Sequence, residues 1–190
     1  MRSESDRKVE DHEVMTNEHA DLLSTLAAHR QFLRFTAAGL TDDQARLTPC
    51  ASVLSVGGLI KHVADVEATW ARFMIQGKAA FGDFYDKLAA GDVDWEAMTE
   101  ERTNQFTLLA DETLEEVLAA YQAVADETDR IVAATPDLSV SYPLPVAPWF
   151  EPGASWSIRR AVLHVIAETS QHAGHADMIR ETIDGQKTMG

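Results

Sequence analysis

Apolar residues recur in steps of three and four along four stretches of this chain, and each stretch is followed by a helix-stopping signal. In the first, 13–38, Leu22, Leu26, His29, Leu33 and Ala37 form one stripe, with Leu23, Phe32 and Phe35 beside it and Gly39 as a C-terminal cap. Thr41 and Gln44 then have capping-box spacing for a short helical turn that Pro49 stops. The second stretch, 56–75, opens behind Ser55 and closes at Gly77; its stripe is Leu59, Val63, Val66, Trp70 and Phe73, with His62 on the same face. Thr113 and Glu116 make another capping box, which opens the third helix over 114–134. The fourth begins behind Ser155 or Ser157 and ends at Asp184 and Gly185, with a seam of Ile158, Val162, Val165, Thr169, His172, Ala176, Ile179 and Ile183.

The two long connections read differently. Region 78–111 is irregular, with glycines and an acidic run, and suggests loop and short helical pieces. Its Phe81, Phe84, Tyr85 and Trp95 are too apolar for a free linker and are predicted to pack down, as a lid or as satellite contacts. Region 135–154 contains Pro136, Pro143, Pro145, Pro148 and Pro152, which forbid helix. Its Trp149 and Phe150 either line a pocket at the mouth of the bundle or plug its end. With no strand pattern, the prediction is an all-α four-helix bundle, as one domain over 13–190, behind a charged, flexible 1–12.

Composition narrows the function. The net charge is -15, so no basic face is available for nucleic acid or for an anionic membrane. No apolar run approaches the ~18 residues of a membrane span, and the N-terminus lacks a signal-peptide core. The lone Cys50 excludes an internal disulfide and fits a reducing cytoplasm; its loop setting, with no His or Lys adjacent, reads as inert. Pairing into a homodimer through a helix face is compatible with this pattern and not fixed by it.

The chemistry concentrates on the last helix, which offers His164, Glu168, His172 and His175. A carboxylate and an imidazole one turn apart on a core-facing seam are costly to bury without a partner, and a divalent metal satisfies both. The four cannot share one ion, since eight residues of helix rise roughly 12 Å. Candidate pairs are therefore His164 with Glu168, Glu168 with His172, and His172 with His175, each needing a third ligand from another helix. His62 is the histidine in a comparable position. Two His and one carboxylate leave a coordination position open and suit Zn first, with Ni, Fe, Co or Mn as alternatives. A hydrogen-bonded Glu168–His172 pair without metal is the competing reading. Glu67 reads as a boundary salt-bridge partner, His12 and His19 as solvent-facing, and His29 as a core-edge histidine. Asp126, Glu127 and Asp129 read as solvated surface.

Three segments, LIKHVADVEATW at 59–70, APWFEPG at 147–153 and HVIAETSQHAGHAD at 164–177, together resemble the DinB-like superfamily. More narrowly, they resemble the actinobacterial-type branch related to the N-terminal bundle of the mycothiol-dependent maleylpyruvate isomerases, over roughly 18–185. The resemblance implies an up-up-down-down bundle with an extra segment between helices two and three. It also implies a metal held by three residues, which by position are His62, Glu168 and His172; Glu168 stands where many relatives have His. His175 is then a residue beside the ligands that orients water or thiol, and His164 a helix–helix contact. Trp70, Trp149 and Phe150 would border the substrate pocket. The implied activity is metal-dependent transfer of a low-molecular-weight thiol, mycothiol or another, to an electrophile. The isomerases carry a further C-terminal domain with a catalytic Arg, which this chain, ending at Gly190, is expected to lack, so isomerisation itself is not expected. The competing functions are a non-catalytic metal-binding stress protein and a metal-dependent hydrolase, the latter in need of a general base that no free carboxylate supplies by spacing. The superfamily's name points to DNA damage, but the charge argues against DNA as a partner.

Overall fold

The computed structural model describes residues 17–188; the predicted charged terminus 1–12, His12 and the start of the first helix lie outside them. Helix α1 (Asn17–Ala37) buries Leu22, Leu26, Arg30, Leu33 and Ala37, and Gly39 takes the left-handed conformation (φ 77°) that lets the chain turn away. The short α2 (Asp42–Arg46) carries the predicted Thr41–Gln44 capping box. Helix α3 (Val56–Gln76) starts where Ser55 Oγ accepts from the Gly58 amide. A 3-10 turn, Gly77–Phe81, follows, then α4 (Phe84–Ala90) and α5 (Trp95–Gln105). Helix α6 (Leu114–Ala134) opens with the Thr113–Glu116 box, and α7 (Ile158–Asp184) is capped by Ser157.

Helices α1, α3, α6 and α7 form the bundle, and two apolar clusters give their directions. One contains Leu33 and Ala37 of α1, Val56 to Ala64 of α3, Leu114 to Tyr121 of α6 and Ala173 to Ile179 of α7. The other contains Leu22 and Leu26, Trp70 to Met74, Ile131 and Val132, and Ile158 to Val165. Helices α1 and α7 therefore run parallel, as do α3 and α6, and the two pairs are opposed. Polar contacts agree: Arg159 near the start of α7 pairs with Glu18, while Arg180 Nη1 near its end donates to Thr36 O at 2.8 Å.

The order is thus up-down-down-up rather than the expected up-up-down-down. Antiparallel neighbours α1 and α3 need only the 38–55 link, whereas the parallel α3 and α6 need a return along the whole bundle. Segment 77–113, carrying α4 and α5, makes that return. It lands on α3 so closely that a Cβ built on Gly58 would lie 1.8 Å from Phe106 O, which makes a glycine necessary there.

Between the two apolar clusters lies a polar layer. Arg30 and Glu67 pair in the interior; Arg30 Nε donates to Glu67 Oε2 at 3.2 Å and its Nη1 to Asp129 at 2.8 Å. Glu67 is 0 % exposed, so it is a core partner rather than a boundary one, and Asp129 is not simply solvated surface. His19, expected in solvent, is 2 % exposed, because α1 lays it against the end of α6, where its Nε2 lies 2.8 Å from Thr135 O. His29 is half-buried, as expected of a core-edge residue, and Cys50 is exposed.

A short antiparallel ladder, β1 (Ser141–Pro143) with β2 (Ser155–Ser157), departs from the strand-free expectation. It pairs Tyr142 with Trp156 and closes the 135–157 connection over the end of α3, where Tyr142 packs edge-on against Phe73. No described helix is long and apolar enough to cross a membrane.

Candidate metal centre

Because α3 and α7 are antiparallel, a row of residues one turn apart on each meets the other in reverse order. On α3 the row is His62, Val66, Trp70; on α7 it is His172, Glu168, His164. His62 accordingly faces His172, with ring centroids 5.0 Å apart and planes near perpendicular at 86°. Trp70 faces His164 at 4.8 Å.

His62, Glu168 and His172 each offer one donor atom within 4.8 Å of the others. Donors on bonds of about 2.1 Å at tetrahedral angles sit roughly 3.4 Å apart, and His172 Nε2 to Glu168 Oε2 is already 3.5 Å. His62 Nδ1 is buried with no hydrogen-bond partner among the described residues. The donor set therefore fits a divalent ion, with a modest contraction and with the fourth side facing the cavity.

The electrostatics favour the unprotonated donors a cation requires. Burial, followed by the nearby His172, pulls the His62 pKa down to about 4, so its ring is neutral at pH 7. Glu168 is held below the usual carboxylate range, first by the adjoining His172 and further by His164 and His62, against an opposing effect of burial. Burial likewise lowers the pKa of His164, whose Nε2 lies 3.7 Å from Glu168 Oε1.

The cluster floors a cavity of about 490 Å³ in which half of the lining residues are Phe, Tyr or Trp. Phe106, at the end of α5, lies flat on the His62 ring, with centroids 3.9 Å apart and planes 23° apart. Trp70, Trp149 and Phe150 all line the cavity; Trp149 is 60 % exposed at its rim. Of the predicted lid aromatics, Phe81 and Tyr85 reach the wall, whereas Trp95 is 60 % exposed and does not pack down, since α5 turns it outward.

His175 does not line the cavity. Its Nδ1 lies 3.5 Å from His172 Nδ1, on the far side of that ring. Four lining residues were missed by sequence reasoning, Gln171 of α7 among them. Trp156 stacks on Trp70 at 4.8 Å, and its only sequence signal was its place between two candidate cap serines. Arg102 of α5 and Phe106, the residue that caps it, stand one turn apart, and the helix's own pattern is too polar to indicate a buried side. His164, expected as a helix–helix contact, is a wall residue packed against Trp70 and Trp156.

Bundle and cluster define a class: an all-α protein with two imidazoles and a carboxylate at the base of an aromatic cavity. The chain belongs to the mycothiol S-transferase family, whose model, described as "MST: Mycothiol-S-transferase", matches residues 21–185. This agrees with the DinB-like resemblance, and the matched span includes the whole cluster. No curated protein matches the chain.

Proposed function

We propose that this protein transfers a low-molecular-weight thiol of the mycothiol type to an electrophilic carbon, with His62, Glu168 and His172 holding a divalent ion, Zn by preference. The observation that carries the reading is the three-donor cluster opening into an aromatic cavity, in a chain of this family. When bound, such an ion lowers the pKa of a thiol that reaches its open side, and a borderline-soft cation suits sulfur. His62 presents a neutral ring, kept so by burial. Glu168 presents an ionised carboxylate. His175 acts through His172, fixing its ring from behind. The aromatic walls, Trp70, Trp149 and Phe150 among them, hold the organic part of the substrates and exclude water. The thiol proton leaves to solvent, the sulfur electron pair forms the new C–S bond, and any leaving group departs with its own pair.

A hydrolase using the same site would need a general base. Among the described residues Glu168, already committed to the cluster, is the only carboxylate on the cavity wall. A non-catalytic metal-binding role would leave the 490 Å³ cavity without an occupant.

The test is a titration of Co-substituted protein with mycothiol, followed by the sulfur-to-metal charge-transfer band in the near ultraviolet. The band is expected to grow to saturation with the thiol, to be absent with its S-methyl derivative, and to be absent in His172→Ala. Co bound at the cluster with no thiol-dependent band would overturn thiol activation and favour a non-catalytic metal protein. Turnover of an ester or amide without added thiol would favour the hydrolase.

A further inference from the structure

The cavity wall carries a charged side chain that the transfer chemistry does not use. Arg102 of α5 borders the main cavity and also a second one of about 390 Å³ lined by Val53, Leu54, Met98, Thr99 and Phe106. Arg102 and Phe106, one turn apart, form the partition between the two.

Five of the nine described arginines, Arg30, Arg46, Arg130, Arg159 and Arg180, find a carboxylate, while Arg34 and Arg160 lie over aromatic rings and Arg72 donates to Thr69. Arg102 makes no ion pair or hydrogen bond among the described residues. Its own helix contains Glu96, Glu100 and Glu101, yet the positions one turn away hold Met98, Thr99, Gln105 and Phe106. The helix is therefore arranged so that none of its glutamates neutralises this side chain.

The charges inside the cavity lead to a ligand class. Among the described residues, Arg102 and Glu168 are its only charged lining residues apart from the imidazoles. A divalent ion held by two imidazoles and one carboxylate would leave one net positive charge at the cluster, enough to balance one thiolate. The charge of Arg102 then remains, facing a space walled by flat aromatic rings. A guanidinium fork matches a carboxylate in two parallel hydrogen bonds, and aromatic walls favour a planar, conjugated body.

We propose that Arg102 is the specificity residue for the second substrate, and that this electrophile is a planar aromatic or conjugated molecule bearing a carboxylate. The assignment rests on the thiol-transfer reading of the same cavity. The carboxylate docks on Arg102 at the partition, and the conjugated body lies along the aromatic wall toward the cluster.

Calorimetric titration with 2-naphthoate and its neutral isostere 2-naphthamide tests this directly, since the pair shares its ring system and shape and differs at the head group, charged in one and a neutral amide in the other. Wild-type protein is expected to bind the carboxylate more tightly, with a preference that shrinks as salt is added, because Arg102 is exposed. Arg102→Ala is expected to lose about tenfold in naphthoate affinity, the worth of a charge-assisted hydrogen bond, with naphthamide binding unchanged. Arg102→Lys should fall between. The pattern should persist in His172→Ala, where coordination of the carboxylate by a bound ion is disabled. Equal binding of both probes in the wild type, or an unchanged preference in Arg102→Ala, would overturn the proposal while the thiol-dependent band of Co-substituted protein stood. A preserved Arg102 preference without any thiol-dependent band would instead remove the transfer reading and with it the identification of the anion as a co-substrate.

Discussion

Arg30 and Glu67 sit on core-facing positions of two helices, 3 % and 0 % exposed as whole residues, and they tie α1 to α3 between the two apolar clusters. Taking either charge away leaves the other buried without its partner, which costs far more than the pair contributes. Glu67→Ala is therefore expected to destabilise the protein by about 3–5 kcal/mol in urea unfolding. The double change Arg30→Met with Glu67→Leu should recover most of that loss, and a single variant as stable as wild type would contradict the buried pairing. These residues also mark how far a sequence pattern reaches. The three-and-four spacing put His62 and His172 on core-facing stripes but left three ligand pairs open. The set His62, Glu168 and His172 came from the family resemblance, and the structure places donor atoms of these three within 4.8 Å of one another. The same spacing did not locate His19, Glu67 or Asp129 correctly. Spacing gives the angle of a side chain around its own helix, whereas burial depends on which neighbour covers that angle. His19 is covered by the end of α6 and Asp129 is reached by Arg30 from α1.

Among the elements, the crossover from α3 to α6 does most to shape the site. It places Phe106 over His62 and Arg102 on the cavity wall, and it approaches α3 at Gly58 with backbone rather than side chain. Gly58→Ala would force the Phe106 carbonyl away, and overpacking of this kind costs roughly 1–3 kcal/mol. The expected result is a lower melting temperature, with Gly174→Ala as the control because a Cβ there meets nothing within 4 Å. Equal melting of Gly58→Ala and wild type would mean that the crossover does not land on α3 as described. The caps of α2, α3, α6 and α7 were legible because Ser and Thr at these positions bond local amides. The helix directions were not, since connection lengths allow more than one order and the directions depend on which cluster each half-helix joins. The β1–β2 ladder escaped too: three residue pairs in a Pro-rich segment carry no alternation to read.

At the scale of the whole molecule, the polar layer and the candidate metal centre occupy neighbouring levels of one bundle. Glu67 stands just over one turn along α3 from His62, and the buried Thr169 directly follows Glu168. The two apolar clusters hold the ends of the bundle, leaving its middle to groups that can bind and transfer charge. With a net charge of -15 on the chain, Arg102 is the one non-imidazole cation among the described residues that line the cavity. All of this depends on one claim, that His62, Glu168 and His172 hold a divalent ion. The most direct test is the metal content of protein purified without a His tag or chelator, beside His62→Ala and Glu168→Ala. About one Zn or similar ion per chain is expected, lost in both variants while their helical circular dichroism is retained. Wild-type protein that takes up no metal even when Zn is supplied would contradict the claim, leaving the cluster a hydrogen-bonded group of side chains in the bundle wall.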